Sequence, residues 1–518
     1  MGMNKEERKQ SKYDILKQFY GYDSFREGQE ELVDAILDGR DVFGIMPTGA
    51  GKSVCYQVPA LLMDGITLVI SPLISLMKDQ VRALNEMGVH AAYLNSALTY
   101  NQYKLALANA KRGQYKIIYV APERLETREF LEFALHAPIE MVSIDEAHCV
   151  SQWGQDFRPG YLKIQAFIEK LPVRPIVSAF TATATAEVQE DVTRLLGLRE
   201  PERVITGFNR PNLYFGVSIP KNKKQTLRQY LSVHRNESGI IYCATRKGVE
   251  EIHELLVKEG YPATRYHAGL DEEERRKNQD DFTYDRKPVM VATNAFGMGI
   301  DKSNVRYVVH YNMPKNLESY YQEAGRAGRD GAPAECMLLF GKKDVITNEY
   351  FIGQSRENDE LSETELEIVR AAEREKLRRM TGYCYTVGCL REYMLKYFGE
   401  ENCTCDNCSY CLAGNEPAVV RENAGKMKKK SRSTEKSQMA KSNSIFERLR
   451  RVRLDLAREE KVPPYLIFSD KTLVEMCMKM PSTEEEMLEI SGVGTHKLQK
   501  YGVFFLSVIR AFSEEEKH

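Results

Sequence analysis

The chain has 518 residues, too many for one hydrophobic core at roughly 100 to 200 residues per domain, so three or four domains are expected. A hydrophobic fraction of 42% with a charged fraction of 28% is that of a folded, soluble protein and excludes a disordered or fibrous chain. Lys plus Arg, 73, nearly cancel Asp plus Glu, 74, so any polyanion has to be held by local basic patches rather than by a global field.

The first residues, MGMNKEERKQSKYDILKQ, are polar, and no uncharged apolar run approaches the ~20 residues of a membrane span, so a cytoplasmic chain without membrane contact is expected. From about residue 40 to 340, β-branched runs (GITLVIS, YKIIYVA, IEMVSID, RPIVSAF, SGIIYC, KPVMVAT, VRYVVHY) alternate with helical segments, the pattern of parallel α/β sheets. Gly, Asn and Pro interrupt that pattern at GFNRPNLYF, residues 207–215, which divides it into two α/β lobes, 1–206 and 207–341. Residues 342–412 read as charged and helical, and 413–443, containing GKMKKKSRSTEKSQMAKS, as a flexible basic linker. Helical spacing of Phe446, Leu449, Val452 and Leu456 then opens a small all-helical domain over 444–514.

Within the first lobe, PTGAGKS (47–53) follows an apolar stretch and precedes a helical one, as a phosphate-binding loop does. Amides around Thr48, Gly49 and Gly51 wrap the phosphates of ATP, Lys52 supplies a charge for the β and γ phosphates, and Ser53 offers a hydroxyl to Mg²⁺. Met46 stands where the generic motif has its first glycine. Further on, SIDEAHC (143–149) runs an apolar strand into two carboxylates: Asp145 suits Mg²⁺, and Glu146 can orient and deprotonate the attacking water. The loop that follows holds Trp153, with Phe157 and Arg158 close by. An aromatic ring can stack on an unpaired base and an adjacent arginine can meet a phosphate, while core packing is the plain alternative for a lone tryptophan.

Eleven cysteines in a chain without a secretory signal suit reduced thiols and a metal site better than a disulfide framework. Cys55, Cys149, Cys243, Cys336 and Cys477 are scattered, whereas Cys384, Cys389, Cys403, Cys405, Cys408 and Cys411 crowd together. The C-x2-C-x2-C run 405–411, with Cys389 upstream, suits tetrahedral Zn²⁺; Cys403 offers a second thiol to the position of Cys405, and four-cysteine sites also hold iron–sulfur clusters.

Together with SPLISLMKDQ (71–80), VAPERL (120–125), TATAT (181–185), IIYCATR, ATNAFGMGIDK (292–302) and QEAGRAGRDG (322–331), these segments fall in the order of the superfamily-2 helicases. GYDSFREGQ (21–29), the extended SQWGQDFRPGY (151–161) and the cysteine cluster make the chain resemble the RecQ DNA helicases over nearly its whole length. The resemblance implies two RecA-like lobes, a helical zinc-binding subdomain and an HRDC-like domain. It implies that Gln29 reads adenine with Tyr22 and Arg26 beside it, and that Gln322, Arg326 and Arg329 of the second lobe serve hydrolysis, the arginines reaching the γ-phosphate. Cys389, Cys405, Cys408 and Cys411 become the zinc ligands, TATAT a transmitter of nucleotide state, and the Trp153 loop the coupling of single-strand contact to ATP hydrolysis.

The same resemblance implies 3′-to-5′ movement on single-stranded DNA, unwinding of tailed duplexes, and service in DNA repair, recombination and the SOS response. It further implies a monomer associated with the bacterial nucleoid, with single-strand-binding protein and recombination factors as partners. In the HRDC-like domain, Gly492 and Gly494 suit a tight phosphate-binding turn, and Tyr465, Lys497 and Lys500 are candidate nucleic-acid contacts, with helix packing the alternative for Tyr465. One departure stands out: about thirty residues separate Cys411 from Ser444, leaving no room for the winged helix that longer RecQ proteins use to hold and split duplex. Rival readings are an RNA-directed helicase, a duplex translocase, or a zinc-containing scaffold with a dead ATPase.

Overall fold

The computed structural model describes residues 11–47, 49–154, 157–235, 237–296, 302–354, 363–401, 403–414, 436–460 and 462–515. The chain divides into two compact units, one formed by residues 1–207, 298–301 and 434–518, the other by 208–297 and 302–433. The division at Gly207/Phe208 falls on the Gly-Asn-Pro break.

The first unit holds a seven-stranded, all-parallel sheet ordered β3-β4-β2-β5-β6-β1-β7. Its strands are β1 (Val42–Ile45), β2 (Ile66–Ile70), β3 (Ala91–Leu94), β4 (Ile117–Val120), β5 (Ile139–Ile144), β6 (Ile176–Thr181) and β7 (Glu202–Ile205). A parallel sheet is covered on both faces, which is why its inner strands read as continuous apolar runs. Leu32, Val42, Tyr56, Val69, Met77, Tyr119 and Phe180 share one core cluster. Because β2, β5, β6 and β1 are neighbours, the segments after them, SPLIS, DEAH, TATAT and PTGAGKS, emerge side by side at the carboxyl ends of the strands, where open α/β sheets bind ligands.

The second unit holds a six-stranded parallel sheet, β10-β11-β9-β12-β13-β8. These strands are β8 (Leu213–Ser218), β9 (Ser238–Tyr242), β10 (Ala263–Tyr266), β11 (Val289–Ala292), β12 (Val305–His310) and β13 (Ala334–Leu339). Helices Lys342–Gln354, Glu363–Tyr385 and Leu390–Tyr397 follow in the same unit. Edge strand β8 does not end the hydrogen bonding: Ser409 N–H donates to the Phe215 carbonyl at 2.8 Å, and Phe215 bridges Cys408 in parallel sense, so the cysteine loop covers that edge.

The C-terminal helices, from Lys436–Glu460 to Val503–Glu515, close their own core around Leu449, Ile467, Phe468, Met476, Phe505 and Ile509. Of the linker expected over 413–443, residues 415–435 lie outside the described residues, and the last eight belong to the helix that begins at Lys436. This helical domain packs on the first lobe within the first unit. Gly492 N–H donates to the Gly21 carbonyl at 2.9 Å, Lys17 Nζ to the Leu488 carbonyl at 2.9 Å, and Lys500 pairs with Glu86 at 3.1 Å. Among the described residues, no helix is long and apolar enough to cross a membrane.

Candidate functional site

The phosphate loop joins β1 to the helix Lys52–Leu62, and the N-terminus of a helix offers backbone N–H groups to an anion. Met46, in place of the usual glycine, is still part of the sheet: its N–H donates to the Thr181 carbonyl at 3.0 Å and its side chain packs against Cys55 in the core. Its carbonyl accepts from Lys52 Nζ at 3.1 Å. Gly51 has φ 84°, and a Cβ there would lie 2.6 Å from Gln29 Nε2, so both backbone and space require glycine. Thr48 lies outside the described residues.

Gln29 is buried and grips this loop. Its Nε2 donates to the carbonyls of Ala50 (2.9 Å) and Gly51 (3.1 Å), and its Oε1 accepts from Arg26 N–H at 2.8 Å. Arg26 Nη1 donates to the Gly49 carbonyl at 2.7 Å, and its guanidinium lies 5.9 Å from the Tyr22 ring centroid. The three residues expected around adenine are therefore together. The amide of Gln29 also holds the phosphate loop, whose carbonyls sit within its reach. Phe25 packs with Tyr13 at 5.6 Å and on a small cluster with Leu16 and Val58.

Asp145 and Glu146 close β5. Asp145 is 8% exposed; burial, reinforced by the charge of Glu146, raises its pKa to about 7, while Lys52 draws it down. A carboxyl so disfavoured as an anion, in a lobe that also offers the Ser53 hydroxyl, suits a hard dication that would restore its charge. Glu146 adopts φ 48°, a left-handed conformation that turns the chain off the strand. His148 Nδ1 lies 2.8 Å from Thr181 Oγ1 and 3.4 Å from Glu146 Oε2, and Thr181 Oγ1 donates to the Thr183 carbonyl at 3.0 Å. His148 thus ties the carboxylate segment to TATAT, a link that the letters DEAH do not display.

In the loop beyond, Trp153 is half-buried, its N–H donating to Ser151 Oγ at 3.2 Å, and Ser151 Oγ donates to Asp191 at 2.7 Å. Phe157 is half-buried; Arg158 Nη1 donates to the Pro72 carbonyl at 2.7 Å, fastening the loop to the segment after β2. Gln155 and Asp156 lie outside the described residues. If Trp153 stacks on an unpaired base, Trp153→Ala should raise the half-saturating concentration of single-stranded DNA by roughly tenfold, while the KM for ATP stays unchanged. DNA titrations of the ATPase rate check this, and wild-type DNA dependence would return Trp153 to packing.

In the second unit, Gln322 sits on the helix Leu317–Ala324, and Arg326 and Arg329 follow in the loop leading to β13. Gln322 and Arg326 are buried and Arg329 is half-buried. Arg326 hydrogen-bonds Tyr242 at the end of β9, and His310 Nε2 lies 2.8 Å from Glu323 Oε2. Residues 297–301 of the ATNAFGMGIDK segment lie outside the described residues.

Cys389, Cys405, Cys408 and Cys411 bring their sulfurs within 4.8 Å of one another. Cys389 and Cys408 are 3.9 Å apart, against ~3.8 Å for two sulfurs on a tetrahedral zinc with 2.3 Å bonds. Backbone N–H groups of Glu392 and Cys411 point at Cys389 and Cys408 sulfurs at 3.4 and 3.5 Å, as suits thiolates. Cys403 lies outside the group and donates to the Thr404 carbonyl, and Cys384 is buried apart from it. In the helical domain, Lys500 pairs with Glu86 and with Glu460 at 3.0 Å, and burial lowers the pKa of Lys497 to about 8. Both lysines therefore face protein here.

A phosphate loop, an acid pair at the end of β5 and two parallel-sheet lobes define an ATP-driven, helicase-type motor. Comparison with known proteins agrees. Residues 26–192 match the DEAD/DEAH box helicase model, 222–331 the helicase conserved C-terminal domain, 342–412 the RecQ zinc-binding domain and 442–509 the HRDC domain. The chain is 39% identical to the ATP-dependent DNA helicase RecQ of Bacillus subtilis (strain 168), over 96% of this chain and 98% of that protein. It is 35% identical to the protein of the same name from Haemophilus influenzae, over 96% of this chain and 95% of that one. The solved structure of S. cerevisiae Dbp5 bound to RNA and ADP BeF3 matches with a TM-score of 0.54 at 18% identity, over 71% of this chain and 97% of that one, a likeness of fold alone. The chain belongs to the RecQ family of ATP-dependent DNA helicases. Its alignment with the Bacillus relative spans 589 positions, more than its own 518 residues, so that relative carries segments with no counterpart here.

Proposed function

We propose that this helicase couples Mg-ATP hydrolysis to 3′-to-5′ movement along single-stranded DNA, and that it opens tailed duplexes by that movement. The observation that supports this most is the acid pair closing β5, with Asp145 buried and Glu146 half-buried, next but one in the sheet to β1 and its phosphate loop. Amides of the loop and Lys52 hold the phosphates, Ser53 and Asp145 hold Mg²⁺, and Glu146 orients the attacking water and takes its proton. Tyr22, Arg26 and Gln29 border the adenine, and Gln322, Arg326 and Arg329 stabilise charge that develops on the transferred phosphoryl group. Trp153, Phe157 and Arg158 meet the single strand.

The short connection between zinc module and HRDC domain supports a motor that translocates more readily than it splits duplex. A monomer acting on cytoplasmic DNA in repair and recombination, alongside single-strand-binding protein, is the setting this reading implies. Its test is the steady-state ATPase rate with and without single-stranded DNA, beside unwinding of duplexes with 3′ or 5′ tails. Stimulated hydrolysis with opening of the 3′-tailed duplex is expected. Preference for the 5′ tail overturns the polarity, and hydrolysis indifferent to DNA overturns the coupling.

A further inference from the structure

Within the second unit, residues 208–213 touch both the zinc module and the arginine-bearing loop. From the zinc side, Arg391, two positions after Cys389 and 2% exposed, donates from Nη1 to Asn209 Oδ1 (2.9 Å) and to the Arg210 carbonyl (2.7 Å), and from Nη2 to the Leu213 carbonyl. Phe398 stacks on Phe208 with centroids 4.7 Å apart, and Asn407 Nδ2 donates to the Pro211 carbonyl at 3.1 Å. The segment is therefore built against the module that the four cysteines close.

From the other side, Arg210 Nη2 donates to the carbonyls of Ala327 (3.2 Å) and Gly328 (2.8 Å), the two residues between Arg326 and Arg329. Asn212 Nδ2 donates to the carbonyls of Gly328 and Ala332, each at 2.9 Å. Gly328 has φ 56°, and a Cβ there would lie 2.5 Å from Asn212 Nδ2, so the loop is shaped to this contact. Burial works against the charge of Arg210, and the charge of Arg329 adds to that, yet a guanidinium stays charged. A cation is thus kept beside a like charge, with carbonyls of the loop accepting from it.

We propose that Arg210 is a positioning residue for the loop carrying Arg326 and Arg329, and that Arg391 positions Arg210, so that the zinc module sets the rate of ATP hydrolysis. The proposal rests on the reading that those two arginines act on the phosphoryl group. Small displacements of catalytic groups are costly, about 100-fold for 1 Å, so a loosened loop should act on kcat before it acts on ATP binding.

The test compares Arg210→Met, Arg391→Met, Arg326→Ala, Arg329→Ala and the double variant Arg210→Met/Arg329→Ala in the full chain. It measures kcat and KM of the DNA-stimulated ATPase, zinc content, and amide exchange of residues 325–331. Arg210→Met and Arg391→Met are expected to lower kcat by about tenfold or more with KM for ATP within about twofold. Zinc content should stay full, and exchange in 325–331 should rise. In the Arg329→Ala background, Arg210→Met should cost less than about twofold further, because it acts through the same group. Should Arg210→Met fail to fold, Asn212→Ala carries the test with a smaller fall in kcat and the same rise in exchange. Unchanged kcat and exchange in the single variants, or independent multiplication in the double, overturns the proposal. Wild-type kcat in both Arg326→Ala and Arg329→Ala overturns the functional reading beneath it, and raised exchange in Arg210→Met then separates that failure from failure of the structural relay.

Discussion

Lys52→Ala is expected to lower kcat for ATP hydrolysis by about 10³-fold or more, with or without single-stranded DNA, the scale on which a single cation acts in phosphoryl transfer. Two losses combine. The ammonium that meets the β and γ phosphates disappears, and so does the positive charge that draws down the raised pKa of Asp145. With that charge gone, Asp145 holds its proton more firmly at neutral pH and serves Mg²⁺ less well. The substitution removes a long hydrogen bond to the Met46 carbonyl, and Tm is expected to move by no more than about 2 °C. Coupled-assay turnover and a thermal melt read the two arms. Wild-type turnover would dissolve the assignment of the phosphate loop.

Removal of zinc is the second large effect. Structural zinc is worth about 10–16 kcal/mol in small peptides, comparable with the whole stability of a domain, about 5–15 kcal/mol. Here the sulfur cluster closes a loop that holds the sheet edge at Phe215, and Cys408 at that bridge is fully buried. Cys408→Ser should abolish stoichiometric zinc, lower Tm by about 10 °C or more and reduce soluble yield. Cys403→Ser should keep full zinc and wild-type Tm, since its sulfur lies outside the group. Metal analysis and melting of the two variants check this, and loss of zinc in Cys403→Ser would exchange it for Cys405 in the ligand set.

The strands, the break at GFNRPNLYF, the phosphate loop and the acid pair are local signals: a parallel strand buried on both faces is an apolar run, and a loop that wraps phosphate needs glycine beside lysine. Cys403 and Cys405 could not be separated by spacing, because either fits one coordination position, and only the folded loop turns one sulfur inward. Gln29 carried a family expectation about the base, and the fold adds a grip on the Ala50 and Gly51 carbonyls.

Sequence alone determined the class of machine, since each chemical step demands particular residue types at short spacing, and those motifs stand in order along the chain. Only the tertiary structure decided which partners distant residues meet. Arg391 reads as an ordinary helix charge in CLREYMLKYFG, and Arg210 as a loop residue, yet Arg391, buried, and Arg210, half-buried, both give N–H groups to carbonyls far along the chain. Lys500 likewise reads as a candidate nucleic-acid contact, and in the fold it pairs with Glu86 and Glu460. The physical reason is common to all three: a side chain's periodicity is written locally, but the group that satisfies its charge or hydrogen bond is set by which elements the core brings together.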